Sequence, residues 1–277
     1  MAIRRTDPGI ACSLARELPL PMTSVDLDSG TVTTTLDQGV ATVTFWHPRK
    51  NSLPGALLSR LAQAFDDVAR IAEARVVVLA SEGPGTFCAG ASFEELRSIR
   101  TAAEGKEFFS GFARVILAMR RCPKIVVGRI HGKAVGGGVG LAAATDYSFA
   151  LSTASARLSE LAIGIGPFVV GPVIERRVGH TAFAAMSLDG DWRDAEWCER
   201  HGLYTRVMDT EPALDSVLPS FAHRLASMNR AALTDLKRVL WEGTKHWDTL
   251  LYERAAVSGQ LVLTDAAQQL LARIAAR

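Results

Sequence analysis

An α/β core followed by a helical layer is the fold this sequence predicts, and three observations carry the prediction. A short run rich in β-branched residues at Val76–Leu79, and further apolar runs at Ile125–Ile130 and Tyr147–Leu151, read as buried strands. Amphipathic stretches of helical spacing separate them, so the strands connect by crossovers and lie parallel. Beyond about Gly202 the pattern is helical alone.

The elements follow in order. Alternation from Thr31 to Leu36, the turn Asp37-Gln38-Gly39 and the run Val40 to Trp46 predict an antiparallel hairpin. From Pro54 the period changes: Leu57, Leu58, Leu61, Phe65, Val68 and Ile71 recur on one helical face, with Pro54 suited to the first turn. Phe108, Phe109, Phe112, Val115, Ile116 and Met119 form a second amphipathic helix, which Cys122-Pro123 ends. Four further helices are expected over Leu214–Met228, Ala231–Trp241, Thr249–Leu261 and Asp265–Ile274.

Composition narrows the function classes. The chain has 277 residues, 48% of them hydrophobic and 22% charged, which excludes a disordered or fibrous protein and allows a core of real size. Lys and Arg number 31 against 29 Asp and Glu, a formal net charge of +2 that supplies no general field for nucleic acid or an anionic membrane. No run reaches the length of a membrane helix. Cys12, Cys88, Cys122 and Cys198 are scattered without metal-ligand spacing, so neither a disulfide framework nor a metal site is expected, and a cytoplasmic setting fits best. The first 23 residues read as a loose leader: Asp7, Arg16 and Glu17 interrupt any apolar segment of a secretory signal.

Two glycine-bearing turns each follow an expected strand. Gly83-Pro84-Gly85-Thr86-Phe87-Cys88-Ala89-Gly90-Ala91-Ser92-Phe93 leads into a short helix near Phe93, and His131 to Leu141, with Gly136-Gly137-Gly138, leads into an Ala-rich helix. Glycine permits tight turns and close approach of a ligand to the backbone, and helix starts leave N–H groups unpaired. Two such turns can aim two N–H groups at one oxyanion. Taken alone, a glycine cluster at such a junction more often serves only a tight turn or close packing. Phosphate-loop patterns fail on spacing, since Ala134 follows Gly132-Lys133 where Ser or Thr is required, and Leu141 stands where a dinucleotide fingerprint needs its last small residue.

Together the segments resemble the crotonase (enoyl-CoA hydratase/isomerase) superfamily, over about residues 24 to 275. His47-Pro48-Arg49-Lys50-Asn51-Ser52-Leu53 is similar to the family's first CoA-contacting loop, Thr86–Ala91 to its first oxyanion turn and Ala134–Gly140 to its second. Leu158-Ser159-Glu160, followed by Ile163-Gly164-Ile165-Gly166-Pro167, resembles the segment carrying a catalytic glutamate. The resemblance implies a spiral core of ββα turns with a C-terminal helical layer. It implies an acyl-CoA substrate, with coenzyme A part of that substrate and no separate cofactor. Lys50, Ser52, Ala89, Ala91, Ser92, Phe93 and Gly137 would contact it, the N–H groups of Ala91 and Gly137 would hold the thioester oxygen, and Glu160 would move a proton on the acyl chain.

Departures from the family pattern are equally specific. Gly140 stands where two-glutamate hydratases carry their second Glu, Ser92 replaces the usual Asp, and Phe168-Val169-Val170 replaces a glycine-rich wall. An enoyl-CoA reaction through an enolate with a single glutamate is therefore expected; decarboxylation, thioester hydrolysis, or acyl-CoA binding without turnover are the alternatives. Around the site, His131 and Asp146 are expected to bond to backbone or, for Asp146, an arginine, and Glu94 and Glu95 to serve the start of their helix. The expected organisation is a leader (1–23), a core with the CoA and oxyanion sites (24–203) and a helical oligomerisation region (204–277). Stripes at Leu233, Leu236, Val239, Leu240, Leu250, Leu251, Leu261 and Leu263 exceed what a thin layer buries, and the resemblance implies a homotrimer or homohexamer.

Overall fold

The computed structural model describes residues 30–275 and the two-residue strand β1 (Arg16–Glu17). The expected leader and Cys12 otherwise lie outside the described residues. β1 pairs antiparallel with β2 (Thr31–Asp37), which forms a hairpin with β3 (Val40–Trp46). Gln38 and Gly39 both take positive φ, 45° and 84°, the two-residue turn whose twist matches paired strands.

From β3 onward the chain runs in ββα turns, as expected. The first is completed by β4 (Ser52–Leu53) and α1 (Gly55–Arg70). The second comprises β5 (Val76–Ser81), β6 (Thr86–Cys88), β7 (Gly90–Ala91), α2 (Phe93–Ser98) and α3 (Ala102–Arg121). The third is β8 (Ile125–Ile130), β9 (Lys133–Val135) and α4 (Gly137–Ala143). The fourth is β10 (Tyr147–Leu151), β11 (Ser155–Arg157), a 3-10 helix (Glu160–Ile163), α5 (Gly171–Val178) and α6 (His180–Asp189). After β12 (Arg193–Asp194) and α7 (Ala195–Arg200) comes β13 (Arg206–Met208), followed by α8 (Glu211–Ala226), α9 (Arg230–Leu240), α10 (Trp247–Leu261) and α11 (Asp265–Ala275). Within each turn the first strand joins a seven-stranded sheet of order β1-β2-β3-β5-β8-β10-β13, parallel from β3 onward. The second strand joins a smaller sheet, either β12-β11-β9-β6 or β4-β7.

All six residues of β5 are buried because the strand is covered on both faces. Val77 and Leu79 enter the main core with α1, α3 and α4, while Val76 and Val78 face a second core beneath α8 and α9. Alternate side chains of one strand thus serve opposite layers. α10 crosses α3 where Gly105 meets Gly259; a Cβ on Gly105 would stand 2.6 Å from the Gly259 Cα, so each helix needs glycine there. The Lys124 ammonium closes the end of α1, donating to the carbonyls of Ala69 at 3.1 Å and Ile71 at 2.8 Å and to that of Val68.

Two expectations require correction. The segment from 204 onward is not helical alone, because β13 extends the large sheet parallel to β10. Three residues offer too little alternation to register as a strand. The apolar stripes are also more fully absorbed than expected: Leu233 and Leu251 are buried, while Leu250, Leu261 and Leu263 lean on the cores. Leu236, Val239 and Leu240 on the outer face of α9 remain exposed. Among the described residues, no helix is long and apolar enough to cross a membrane.

Candidate active site

The 47–53 loop is locked from within. Lys50 and Asn51 both take positive φ, 53° and 55°, a conformation asparagine tolerates better than most residues. Buried Asn51 then organises the turn: its Oδ1 accepts from His47 N at 2.8 Å, and its Nδ2 donates to Glu82 O at 2.7 Å and Thr86 O at 3.0 Å. One side chain thereby fastens the first loop to the first glycine turn. Sequence reasoning had given Asn51 no role, although an asparagine just before a short strand signals a left-handed turn.

β4 lies parallel to β7, pairing Ser52 with Gly90 and Leu53 with Ala91. Ala89 N donates to Lys50 O at 3.2 Å, Ser52 Oγ donates to Ala91 O at 3.0 Å, and Ser92 N donates to Leu53 O at 3.1 Å. Ala91 is fixed on both sides. The Ser92 hydroxyl accepts from Glu95 N at 3.3 Å as the cap of α2. Both hydroxyls, of Ser52 and of Ser92, thus bond to the protein's own backbone. Phe93 leans on the cluster of Leu96, Ile99, Ile165, Val262 and Leu271, and Lys50 is exposed. Arg49 and Glu94 form an ion pair joining the 47–53 loop to α2.

The second turn comes close to the first. Gly136, at φ 52°, donates its N–H to Arg157 O at 2.9 Å, and α4 begins at Gly137, whose N–H lies in the first turn and lacks an intrahelical partner. A Cβ on Gly90 would lie 2.9 Å from Val135 O and 3.7 Å from Gly137 N, so the two turns touch only because position 90 is glycine. Gly138 is pressed on Cys88 in the same way, its would-be Cβ 2.4 Å from Cys88 O.

Glu160 opens the 3-10 helix and reaches back to this junction: a Cβ on Gly136 would stand 2.9 Å from Glu160 Oε1. Part of the residue's surface remains accessible, but Oε2 is sealed from solvent and has no hydrogen-bond partner. Burial pushes the carboxyl up from its ordinary 4.5 to about 7, against the opposing pull of the Glu160 and Ser159 backbone N–H groups. A carboxyl poised near neutrality can take a proton and return it. The structure thus brings Gly90, the neighbour of Ala91, against Gly137, and Glu160 against the adjoining Gly136.

Asp146 and Glu95 are engaged elsewhere. Asp146 accepts from Val126 N, Lys237 Nζ and Trp241 Nε1 at 2.7, 2.6 and 2.7 Å; the expected backbone bond is present, with a lysine in place of the arginine. Glu95 Oε2 accepts from Gly55 N at 2.8 Å at the start of α1. His131 is buried with no hydrogen-bond partner at either ring nitrogen, so the expected side-chain bond to backbone is not made, and desolvation, helped by Arg129, lowers its pKa.

Comparison with known proteins agrees with this architecture. A crystal structure of an enoyl-CoA hydratase from Mycobacterium avium superposes with a TM-score of 0.77 at 28% identity, covering 86% of this chain and 92% of that one. An enoyl-CoA hydratase from Bacillus halodurans shares the fold with a TM-score of 0.81 at 21% identity, over 87% of this chain and 99% of that one. In sequence, the chain is 30% identical over 234 residues to the "Probable enoyl-CoA hydratase EchA12" of Mycobacterium tuberculosis, 80% of each protein. It is 35% identical over 161 residues to human mitochondrial methylglutaconyl-CoA hydratase, 58% of this chain and 47% of that protein. The family model described as Enoyl-CoA hydratase/isomerase matches residues 35–264, a span that holds both glycine turns and Glu160. This chain therefore belongs to the enoyl-CoA hydratase/isomerase family of the crotonase superfamily and is an enzyme of that family.

Proposed function

We propose that this enzyme binds an enoyl-CoA thioester with its carbonyl oxygen on the N–H groups of Ala91 and Gly137, and that Glu160 moves one proton along the acyl chain. The carrying observation is Glu160 itself, whose Oε2 is sealed from solvent and without a hydrogen-bond partner, beside the junction of two glycine turns. The reaction this supports best is the shift of a 3-enoyl thioester to the 2-enoyl isomer. Glu160 takes a proton from C2, the C–H electrons pass into a dienolate whose charge rests on the thioester oxygen, and the protonated Glu160 returns the proton to C4. Fixed N–H donors act where that charge develops, each worth roughly 3 kcal/mol in comparable sites. No water is consumed and no second acid is needed.

Addition of water to a 2-enoyl thioester is the second reading, favoured by the hydratase names of the similar proteins. One assay separates them: with 3-enoyl-CoA, conjugated absorbance should appear, whereas with 2-enoyl-CoA it should decline slowly or not at all. Rapid loss from 2-enoyl-CoA without turnover of the 3-enoyl isomer would overturn the isomerase reading.

In this proposal the C-terminal helices also mediate assembly into a homotrimer or a pair of trimers. Support comes from the exposed Leu236, Val239 and Leu240 on α9, with Leu188 76% exposed on α6. Light scattering should give three or six times the chain mass; a monomer at micromolar concentration would reject it.

A further inference from the structure

Two of the departures noted in the sequence, Gly140 and Val170, meet in space. A Cβ on Gly140 would stand 2.5 Å from Val170 Cγ1 and 2.8 Å from Val170 Cβ, with Ile116 Cδ1 at 3.7 Å. Val170 is buried at the start of α5 and belongs to the main core, so the volume above Gly140 is already filled by hydrocarbon. Gly140 lies three residues after Gly137, on the same face of α4. A side chain at 140 would therefore project beside Gly137, the residue next to the Gly136–Glu160 contact.

From this contact we infer that Val170 determines the reaction class: it occupies the space a second proton-transfer group would need, and so restricts the site to chemistry that Glu160 performs alone. The inference rests on the proposed role of Glu160. In two-group water addition one group deprotonates the water that attacks C3 while the other delivers a proton to C2. A 3-enoyl to 2-enoyl shift requires one group that takes a proton and gives it back. With Val170 against Gly140, the wall at this point is apolar, and a larger residue at 140 cannot be accommodated unless 170 shrinks.

The test is a pair of double-variant cycles on the full chain. In the first, Gly140→Ala, Val170→Gly and the double variant are melted. The Gly140→Ala loss should be largely relieved by Val170→Gly, because glycine is well tolerated at a helix cap and vacates the contact. Additive losses would overturn the proposed contact. In the second, Gly140→Glu alone should fold poorly and gain no hydration. Gly140→Glu with Val170→Gly should raise the ratio of hydration of 2-enoyl-CoA to isomerisation of 3-enoyl-CoA at least tenfold over wild type. An unchanged ratio in a folded double variant, or an equal gain from Gly140→Glu alone, would overturn the inference, and if the double variant fails to fold the melting cycle decides. Wild-type turnover of 3-enoyl-CoA reports on the isomerase reading alone, whereas the change in ratio between wild type and double variant reports on Val170.

Discussion

Two buried carboxylates in this enzyme show opposite solutions to the same problem. Taking a carboxylate out of water is costly unless hydrogen bonds or a counter-charge replace the water. Asp146 receives all of these: a backbone N–H, an indole N–H and the Lys237 ammonium, in a pair whose side chains are 2% and 3% exposed. Glu160 Oε2 receives none. The first arrangement ties α9 to the starts of β8 and β10; the second leaves a carboxyl that burial holds toward its neutral form. Burial by itself therefore does not distinguish these two acids, whereas completeness of partners does.

The largest effect should come from breaking the satisfied site. Lys237→Met removes the cation and leaves Asp146 buried beside two N–H donors, at a cost of about 3–5 kcal/mol. The melting temperature should fall by about 10 °C, at roughly 2–4 °C per kcal/mol for a chain of this size, while the folded fraction turns over as wild type. An unaltered melting temperature would show that the pair does not stabilise the fold.

The same operation on the unsatisfied site should act in reverse. Glu160→Gln should lower kcat about a hundredfold or more while stabilising the protein above neutral pH. The sign follows from the raised value. Between its ordinary 4.5 and about 7 the folded chain holds a proton that the unfolded chain releases, so stability falls as pH rises through that window and the penalty is complete above about 7. The variant should melt above wild type at pH 8 and level with it near pH 4. Turnover within tenfold of wild type would remove Glu160 from the chemistry.

Wild-type activity sharpens this further. In the proposed mechanism Glu160 is ionised when it takes the first proton, so kcat/KM should be flat above about 7 and decline about tenfold per pH unit below it. A profile flat down to pH 5 would mean the carboxyl is ionised throughout and that burial does not hold it toward its neutral form.

The difference between the two sites also marks what the sequence could reveal. Glu160 was legible because its neighbours Leu158 to Pro167 form a contiguous motif, and the two glycine turns were legible because glycine clusters follow apolar strands. Asp146 was placed only as a backbone or arginine partner, because Lys237 lies 91 residues further along and nothing local joins them. Long-range contacts defeated local reading elsewhere: Asn51 reaches Glu82 and Thr86, and Val170 fills the space above Gly140. Short strands such as β7 and β13 were missed because two or three residues carry no period, whereas the helices from α8 to α11 were predicted close to where they lie.

The smallest expected effect concerns a carboxylate between these extremes. Glu95 Oε2 has one well-placed partner, Gly55 N at 2.8 Å, and is partly exposed, so it neither loses its hydration fully nor lacks a donor. Its contribution is that of a capping carboxylate at the start of α1, where unpaired N–H groups and the helix dipole favour negative charge. Glu95→Ala should therefore cost about 1 kcal/mol, lowering the melting temperature by about 2–4 °C. Ser92 keeps its own bonds to Leu53 O and to position 95 N in the variant, because both run through atoms the substitution leaves in place. Ala91 should then hold its position, and kcat should stay within about twofold, far from the effect expected of a proton-transfer group. A loss of turnover comparable to that of Glu160→Gln would place Glu95 at the reacting atoms and break the rule that a partnered carboxylate here is structural. An unchanged melting temperature would show instead that water replaces the cap at α1 without loss.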